Sequence, residues 1–258
     1  MNIVVCVKQV PMSGDAKVDP VTGVMIRSSA DTKLNPFDLY AIETALRLKK
    51  EGDRVVALTM GPPSAAAALE ECIAMGIDDG ILVTDRAFAG ADVLATSYTL
   101  SQAIRRVNPD IIICGKQTTD GDTAQVGAEI SEFLAIPCVS NVDNVEGVKD
   151  GYITLTSNLG DVEETLKVKM PCLISVEKEI YTPRLPSYKR KKGLGKIELK
   201  TLTLQDFIDK DPNNYGLKGS PTQVERIFPP EVKVEKLALD KADAAGGIYK
   251  ILKDKKFI

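Results

Sequence analysis

Pro109-Asp-Ile-Ile-Ile-Cys-Gly-Lys-Gln-Thr-Thr-Asp-Gly-Asp-Thr-Ala-Gln-Val-Gly127 reads as a strand, a polar glycine-bearing loop and the start of a helix. Residues 111–114 are a short, continuous run of β-branched and apolar side chains, which suits a strand buried on both faces of a parallel sheet. Gly115 breaks the run. Asp122 is placed to cap the helix that follows, with Gln125 three residues on as its capping-box partner. Strand, loop and helix start together offer backbone N–H groups to a phosphate. The stretch contains neither G-x-x-x-x-G-K-[ST] nor G-x-G-x-x-G. Asp120 and Asp122 would repel a phosphate unless their side chains turn inward to cap backbone donors. An ordinary βα turn and a nucleotide site both stand on this pattern.

The same alternation extends outward on both sides. Residues 3–8 read as a first buried strand, followed over 11–34 by a polar excursion carrying Pro11, Gly14, Pro20 and Gly23. A long loop at a strand's carboxyl end suggests a ligand, and a surface hairpin reads equally well. Asn35-Pro36-Phe37-Asp38 opens a helix with Leu39, Ile42, Ala45 and Leu46 on one face and Glu43 paired with Arg47 at i,i+4. A strand over 54–59 leads through Met60-Gly61-Pro62-Pro63-Ser64 into an alanine-rich helix, with Ser64 as cap and Gly76 as stop. A strand over 80–84 is followed by a loop containing Phe88-Ala89-Gly90-Ala91 and by a helix capped by Asp92. The helix after the opening stretch is expected from about 123 to 134, and a fifth strand over 137–141. Four βα units with short connections predict a doubly wound, mostly parallel α/β sheet, with the loops after strands one to four converging on one crevice.

Beyond residue 142 the period changes to two. Residues 152–157 and 164–168, joined by Asn158-Leu159-Gly160-Asp161, predict an antiparallel hairpin, and 172–177 return to a buried strand. Residues 1–182 are accordingly expected to form one α/β domain, with the hairpin near 151–169. Residues 183–258 are expected to form a basic loop and a C-terminal arm. The loop, Pro183-Arg184-Leu185-Pro186-Ser187-Tyr188-Lys189-Arg190-Lys191-Lys192-Gly193, lacks periodicity. It reads either as a solvated linker or as a partner-recognition loop with Leu185 and Tyr188 as apolar contacts. Residues 203–230 read as an extended tail with little to make a core of its own, and about 240–253 as a terminal helix able to pack on a partner subunit.

Composition narrows the functions. The 258 residues are 44% hydrophobic, enough for a sizeable core. A formal charge of −3 gives no bulk support to a nucleic-acid role. No run approaches the ~18 apolar residues of a membrane span, and the first residues read as a strand rather than a leader, so a cytoplasmic protein is expected. The absence of histidine excludes a serine triad and a His-ligated metal and favours an activity carried by a bound cofactor. Five cysteines without a C-x-x-C, most of them in apolar runs, read as reduced core residues and not as a disulfide framework or metal site.

An ordered set of motifs carries a resemblance. Val-Lys-Gln-Val-Pro stands at 7–11, Asn-Pro-Phe-Asp at 35–38, Met-Gly-Pro at 60–62 and the stretch 115–127 after them. Glu-Thr-Leu-Lys-Val-Lys-Met-Pro-Cys-Leu-Ile-Ser at 164–175 and Pro-Arg-Leu-Pro at 183–186 follow. Over nearly its whole length the chain resembles the beta (small) subunit of electron transfer flavoproteins. The resemblance implies an adenine-nucleotide alpha-hydrolase-like, Rossmann-like fold and a heterodimer with an alpha subunit carrying one FAD. It implies a second nucleotide in the crevice of this chain, AMP in the housekeeping branch and FAD in the electron-bifurcating branch. The loops 85–92 and 118–123, with their small residues, resemble the bifurcating branch. There the FAD accepts hydride from NADH, and electrons divide between the alpha-subunit FAD and ferredoxin or flavodoxin. The alpha-subunit FAD serves an acyl-CoA or 2-hydroxy-acid dehydrogenase. NADH oxidation would then belong to the complex, not to this chain as a free-standing enzyme.

The resemblance also assigns residues. Cys6 and Val7 would flank the base or ribose, Asn35 and Asp38 would lie at the next helix start, and Met60 beside the adenine. Gly115, Lys116, Gln117 and Thr119 would form the loop, with Asp122, Thr123, Ala124, Gln125 and Val126 presenting the helix terminus to phosphate. Ala89, Gly90, Asp92 and Thr96 would lie nearer the flavin ring. Leu185 would be the anchor for partner dehydrogenases. A different class of function, an adenine-nucleotide-dependent hydrolase or ligase of related fold, lacks both a Walker loop and a Ser-Gly-Gly-x-Asp-Ser type loop here.

Overall fold

Apolar runs with no polar alternation set the centre of the molecule, because such strands are stable only with helices on both faces. The computed structural model describes residues 1–12, 32–194, 199–223, 238–239 and 244–258. β1 (Asn2–Cys6) is followed by a two-stranded antiparallel pair, β2 (Gln9–Pro11) with β3 (Thr32–Leu34). The pair closes the described ends of the excursion, whose residues 13–31 lie outside the described residues. Then come α1 (Pro36–Leu48), β4 (Arg54–Met60), α2 (Ala66–Met75), β5 (Asp79–Val83), α3 (Val93–Arg105), β6 (Ile111–Gly115) and α4 (Val126–Leu134). β7 (Cys138–Lys149), β8 (Tyr152–Asn158), β9 (Glu163–Lys169) and β10 (Cys172–Val176) complete the first part of the chain. α5 (Tyr188–Gly193), β11 (Lys200–Leu202) and α6 (Ala244–Asp254) follow.

Among the described residues nine strands form one sheet in the order β11-β5-β4-β1-β6-β10-β7-β8-β9. Every pair from β11 to β7 is parallel, and β7-β8-β9 is antiparallel. Side-chain alternation splits each central strand between two cores. Ile3, Val5, Ile111 and Ile113 pack on one face with Ile42 of α1 and Leu69 of α2. Val4, Leu58 and Ile112 pack on the other with Ile104 of α3 and Ile130 of α4. Each such side chain, fully buried, contributes roughly 1.5–3 kcal/mol. This is the doubly wound, mostly parallel α/β sheet with an antiparallel hairpin that the sequence predicts.

Several local expectations are corrected. α4 begins at Val126, not near 123, because Asp122 does not cap it: Asp122 has φ 53° and accepts a hydrogen bond from Gln117 Nε2. Ser64 does not cap α2 either; a 3-10 turn over Pro63–Ala65 leads into that helix without any side-chain cap. The fifth strand does not stop at 141 but runs to Lys149, pairing with β10 at its start and β8 at its end. Within the basic stretch, Tyr188–Gly193 form a short helix whose N-cap, Ser187, accepts from the Arg190 N–H. The described part of the expected 203–230 tail folds back onto the sheet: just before it Lys200–Leu202 pairs with β5, and within it Leu204, Phe207 and Tyr215 are buried with Phe88. The Phe88 ring lies 5.4 Å from Phe207 and 5.5 Å from Tyr215, a cluster drawn from separated segments that no local period reveals. Part of the 203–230 stretch, residues 224–230, lies outside the described residues, as do 240–243 of the terminal helix expectation.

Candidate functional site

The strand order makes a crevice before any ligand is considered. The connection after β1 leads to α1 on one face of the sheet, and that after β6 leads to α4 on the other. β1 and β6 are neighbours, with Cys6 opposite Cys114. Their diverging exits leave a cleft at the carboxyl edge, the topological switch point where open α/β sheets bind ligands.

Two loops wall the cleft, and a buried polar node joins them. Asp38 is 4% exposed and accepts from the Lys8 N–H (2.7 Å) and Asn35 Nδ2 (2.8 Å). Asn35 Nδ2 also donates to the Gln117 carbonyl (2.9 Å), and Asn35 Oδ1 accepts from the Thr119 N–H (3.3 Å). Burial raises the Asp38 carboxyl from its ordinary 3.8 to about 7, with the bonds from Asn35 and Lys8 opposing. Gly115 is glycine for want of space: a Cβ there would lie 2.6 Å from Asp38 Oδ1 and 2.8 Å from the Phe37 carbonyl. Lys8 Nζ pairs with Asp120 (2.8 Å) and Lys116 Nζ with Glu177 (2.6 Å). Burial would raise Asp120, and the bond and charge of Lys8 together with the bonds from Thr118 and the backbone hold the carboxyl below its ordinary value.

The part of the loop that leads into α4 could accept an anion. Both loop aspartates are engaged within the protein, Asp120 by Lys8 and Asp122 by Gln117. α4 has no side-chain cap, so the leading N–H groups that a helix cannot satisfy internally point out of its N-terminus. Gly121, Asp122, Thr123, Ala124 and Gln125 are all exposed, and positive φ at Asp122 (53°) and Ala124 (55°) marks a loop held in a conformation that non-glycine residues rarely adopt.

The structure brings Cys6, Val7, Asn35, Asp38, Gly115, Lys116, Gln117 and Thr119 together around this node, with Met60 at the same edge at the end of β4. Ser97 Oγ, at the start of α3, reaches the Val126 carbonyl (3.4 Å), so the neighbouring Thr96 lies beside the α4 terminus. Ala89 and Gly90 are exposed and Asp92 half-buried, and all three meet the segment that returns after β11. The Leu217 N–H donates to the Ala89 carbonyl, and Asp92 takes the Thr222 N–H while its own N–H donates to Ser220 Oγ. Gly90 has φ 74°, and a Cβ there would stand 3.2 Å from Leu217, so its smallness has a packing cause of its own. Lys8 and Glu177 were missed as loop-fixing residues. Lys8 stands inside the 7–11 motif, but only the fold brings Asp120 to it, and nothing near Glu177 marks it locally.

Leu185 and Tyr188 do not join the cleft. They are 87% and 81% exposed at the opposite edge of the sheet, where the Ser187 N–H donates to the Ala74 carbonyl near the end of α2. Arg184 fixes this loop to α1: its Nε, Nη2 and backbone N–H all donate to Glu43 (2.8, 3.1 and 3.1 Å). Burial would raise Glu43, and the bonds from Arg184 and Arg47 override it and hold the carboxyl below its ordinary value. A groove of about 540 Å³ between α1 and the β7-β8 hairpin, lined by Arg47, Lys149 and Tyr181 among others, contains none of the nominated residues.

All five cysteines are unpaired, and no cluster of metal-ligating side chains occurs among the described residues. No helix among the described residues is long and apolar enough to cross a membrane.

Comparison with known proteins gives one family. The family model for the electron transfer flavoprotein domain matches residues 22–206. The chain is 44% identical over 261 residues to the electron transfer flavoprotein subunit beta of Clostridium acetobutylicum, with all of both chains covered. It is similar to the caffeyl-CoA reductase-Etf complex subunit CarD of Acetobacterium woodii (42% identity; 90% of this chain and 89% of the relative). It is also similar to the acryloyl-CoA reductase electron transfer subunit gamma of Anaerotignum propionicum (43% identity; 90% of each).

Proposed function

The chain belongs to the electron transfer flavoprotein family, as a beta subunit, and from that premise we propose that its crevice holds an FAD serving an NADH-dependent, electron-bifurcating complex. One observation carries the reading. The α4 terminus is left uncapped while Asp120 is ion-paired with Lys8 and Asp122 accepts from Gln117, which keeps a set of N–H donors for a diphosphate and compensates one of the two charges that would repel it. When bound, the flavin supplies the redox chemistry: hydride acceptance from NADH and division of the electrons between the alpha-subunit FAD and ferredoxin or flavodoxin.

This chain's residues bind and orient. Val126 and the helix start, with Thr123, face the phosphates. Lys8–Asp120 and Asn35–Asp38 hold the loop at its height over Cys6 and Val7, and Met60 offers an apolar side for the adenine. Ala89, Gly90, Asp92 and Thr96 border the ring end. The names of the caffeyl-CoA and acryloyl-CoA reductase relatives support an acyl-CoA-type dehydrogenase partner; a 2-hydroxy-acid dehydrogenase fits the same role.

The position of the recognition loop supports a carrier between the two sites. Leu185 and the cleft stand at opposite ends of strands of 5–7 residues, roughly 17–23 Å at 3.3 Å per residue. A dehydrogenase anchored on Leu185 therefore needs the alpha-subunit FAD to bridge the gap.

A second reading, structural AMP and a single flavin, is favoured by Gly90, whose small size is accounted for by Leu217 without any ring. Nucleotides released by denaturing the co-purified heterodimer decide between them. Two FAD and no AMP per heterodimer are expected. One FAD and one AMP would overturn the bifurcating assignment and leave a simple carrier.

A further inference from the structure

Cys6 ends β1, and Cys114 stands beside it on β6 as its parallel register partner. Both thiols lie on the sheet face beneath α3 and α4, Cys114 within that core and Cys6 half-buried against it. Paired in register on adjacent strands, the two side chains point to the same side of the sheet. α4 roofs Cys114, since a Cβ at Gly127 would come within 3.6 Å of its Sγ. Cys6 keeps a path to solvent through the cleft. The two sulfurs thus form part of the cleft floor, between the loop that leaves β1 and the loop that leaves β6. No step in the proposed function uses a thiol.

Distances between neighbouring strands make the pair linkable, though under strain. Adjacent strands run about 4.7–4.9 Å apart, inside the Cα separation a disulfide tolerates, whereas its Cβ atoms must approach to about 3.5–4.5 Å. Closing the bond would pull the two strand ends together by up to roughly 1 Å. A bond held under such strain is easily reduced, the property of regulatory and not structural disulfides. Cys138 is no rival partner for Cys114, because β10 lies between β6 and β7, roughly 9–10 Å from strand to strand.

We propose that Cys6 and Cys114 form a reversible disulfide that narrows the crevice when no nucleotide fills it, with a hydroperoxide as oxidant. The Cys6 thiolate attacks the terminal oxygen of ROOH, breaking the O–O bond to give Cys6–SOH and, after proton uptake, ROH. The Cys114 sulfur then attacks the Cys6 sulfur; the S–S bond forms, the S–OH bond breaks, and the hydroxide leaves as water with the Cys114 proton. Two thiols lose two electrons, and one hydroperoxide becomes one alcohol and one water. The order of attack follows access. Cys6 is half-exposed and Cys114 buried; the neighbouring Cys6 thiol, and then burial, push the Cys114 thiol well above its ordinary range and leave it the resolving role. The gating part rests on the reading that a nucleotide, FAD or AMP, sits over Cys6.

The test uses the alpha–beta heterodimer, nucleotide-loaded or stripped, with hydrogen peroxide as probe. The stripped complex should lose two thiols and two hydrogens of mass, with a peptide linkage joining Cys6 to Cys114 that dithiothreitol reverses. Its adenine-nucleotide affinity should fall about tenfold or more and recover on reduction, and the loaded complex should oxidise about tenfold or more slowly. Cys114→Ser should stop at a Cys6 sulfenic acid trapped by dimedone, and Cys138→Ser should still form the link. Linkage of Cys6 to another cysteine, or over-oxidation of Cys6 with no linkage in the unsubstituted complex, would overturn the disulfide. A linked complex that binds nucleotide as well as the reduced one would overturn the gating. Linkage at equal rates in loaded and stripped complexes would instead refute the nucleotide's place over Cys6.

Discussion

Asp38 shows how one side chain couples the cleft to pH. Its carboxyl is raised to about 7 by burial, so the folded chain holds a proton there that the unfolded chain, near 3.8, has released. Stability contributed by this group is therefore lost as pH climbs from about 4 to about 7, and the cost is complete above that. Thermal melts of Asp38→Asn should depend less on pH between 5 and 8 than those of the unsubstituted chain; an unchanged slope would mean the carboxyl is ionised in place. Gly115 tests the same node by sterics. Gly115→Ala should lower stability by about 1–3 kcal/mol, because the methyl group meets Asp38 and the Phe37 backbone, and denaturant titration should show it. The sequence made Asn35, Asp38 and Gly115 candidates as members of motifs. It did not make Asp38 a buried acid, because its burial depends on the Gly115 backbone, which is distant in sequence.

Among the elements, the segment at 183–193 separates display from support. Leu185 and Tyr188 project into solvent, while Arg184 is tied to the buried Glu43 and Arg47 stacks on Tyr181 at 4.4 Å. Leu185→Ala should raise the KM for a partner dehydrogenase about tenfold with kcat and melting temperature unchanged, as expected of an exposed anchor. Arg184→Ala should act on both, costing about 1–3 kcal/mol of stability by stranding most of the Glu43 carboxylate, with the half-exposed arginine keeping the figure low. Steady-state kinetics beside calorimetry separates the two. The strands were legible because their apolar runs are the physical cause of double-sided burial. The helix starts were less so: Asp122 and Ser64 are good caps by type, yet Asp122 is taken by Gln117 and Ser64 lies within a 3-10 turn. Propensity names residues able to cap; competition for partners decides which do.

For the molecule as a whole, α6 touches Leu239 at Gly247 and leaves an apolar face exposed among the described residues. Ile248, Tyr249 and Leu252 are exposed on it, at spacings that share one helical face. If that face meets the alpha subunit, Ile248→Asp with Leu252→Asp should weaken heterodimer formation, read by analytical ultracentrifugation, without lowering the melting of the isolated chain. The double winding was readable from four βα units in series. The return of residues 200–222 to the sheet was not, since three buried aromatics from separate segments form no period.

The insertion of β10 between β6 and β7 has a consequence for how the protein is made. A ribosome delivers β6 long before the strand that must lie against it, with α4 and the whole β7-β8-β9 meander emerging in between. At about 5–20 residues per second, the ~60 intervening residues leave the Ile111–Ile113 edge of the nascent sheet unpaired for about 3–12 s. During that interval the growing chain carries an open, apolar strand edge, the kind of template that invites aggregation. Chains stalled before residue 172 should therefore be captured by hydrophobic-surface chaperones, and chains stalled well past 176 should be released from them. Ribosome-bound nascent-chain pulldowns at successive lengths would show whether that release coincides with β10 clearing the exit tunnel.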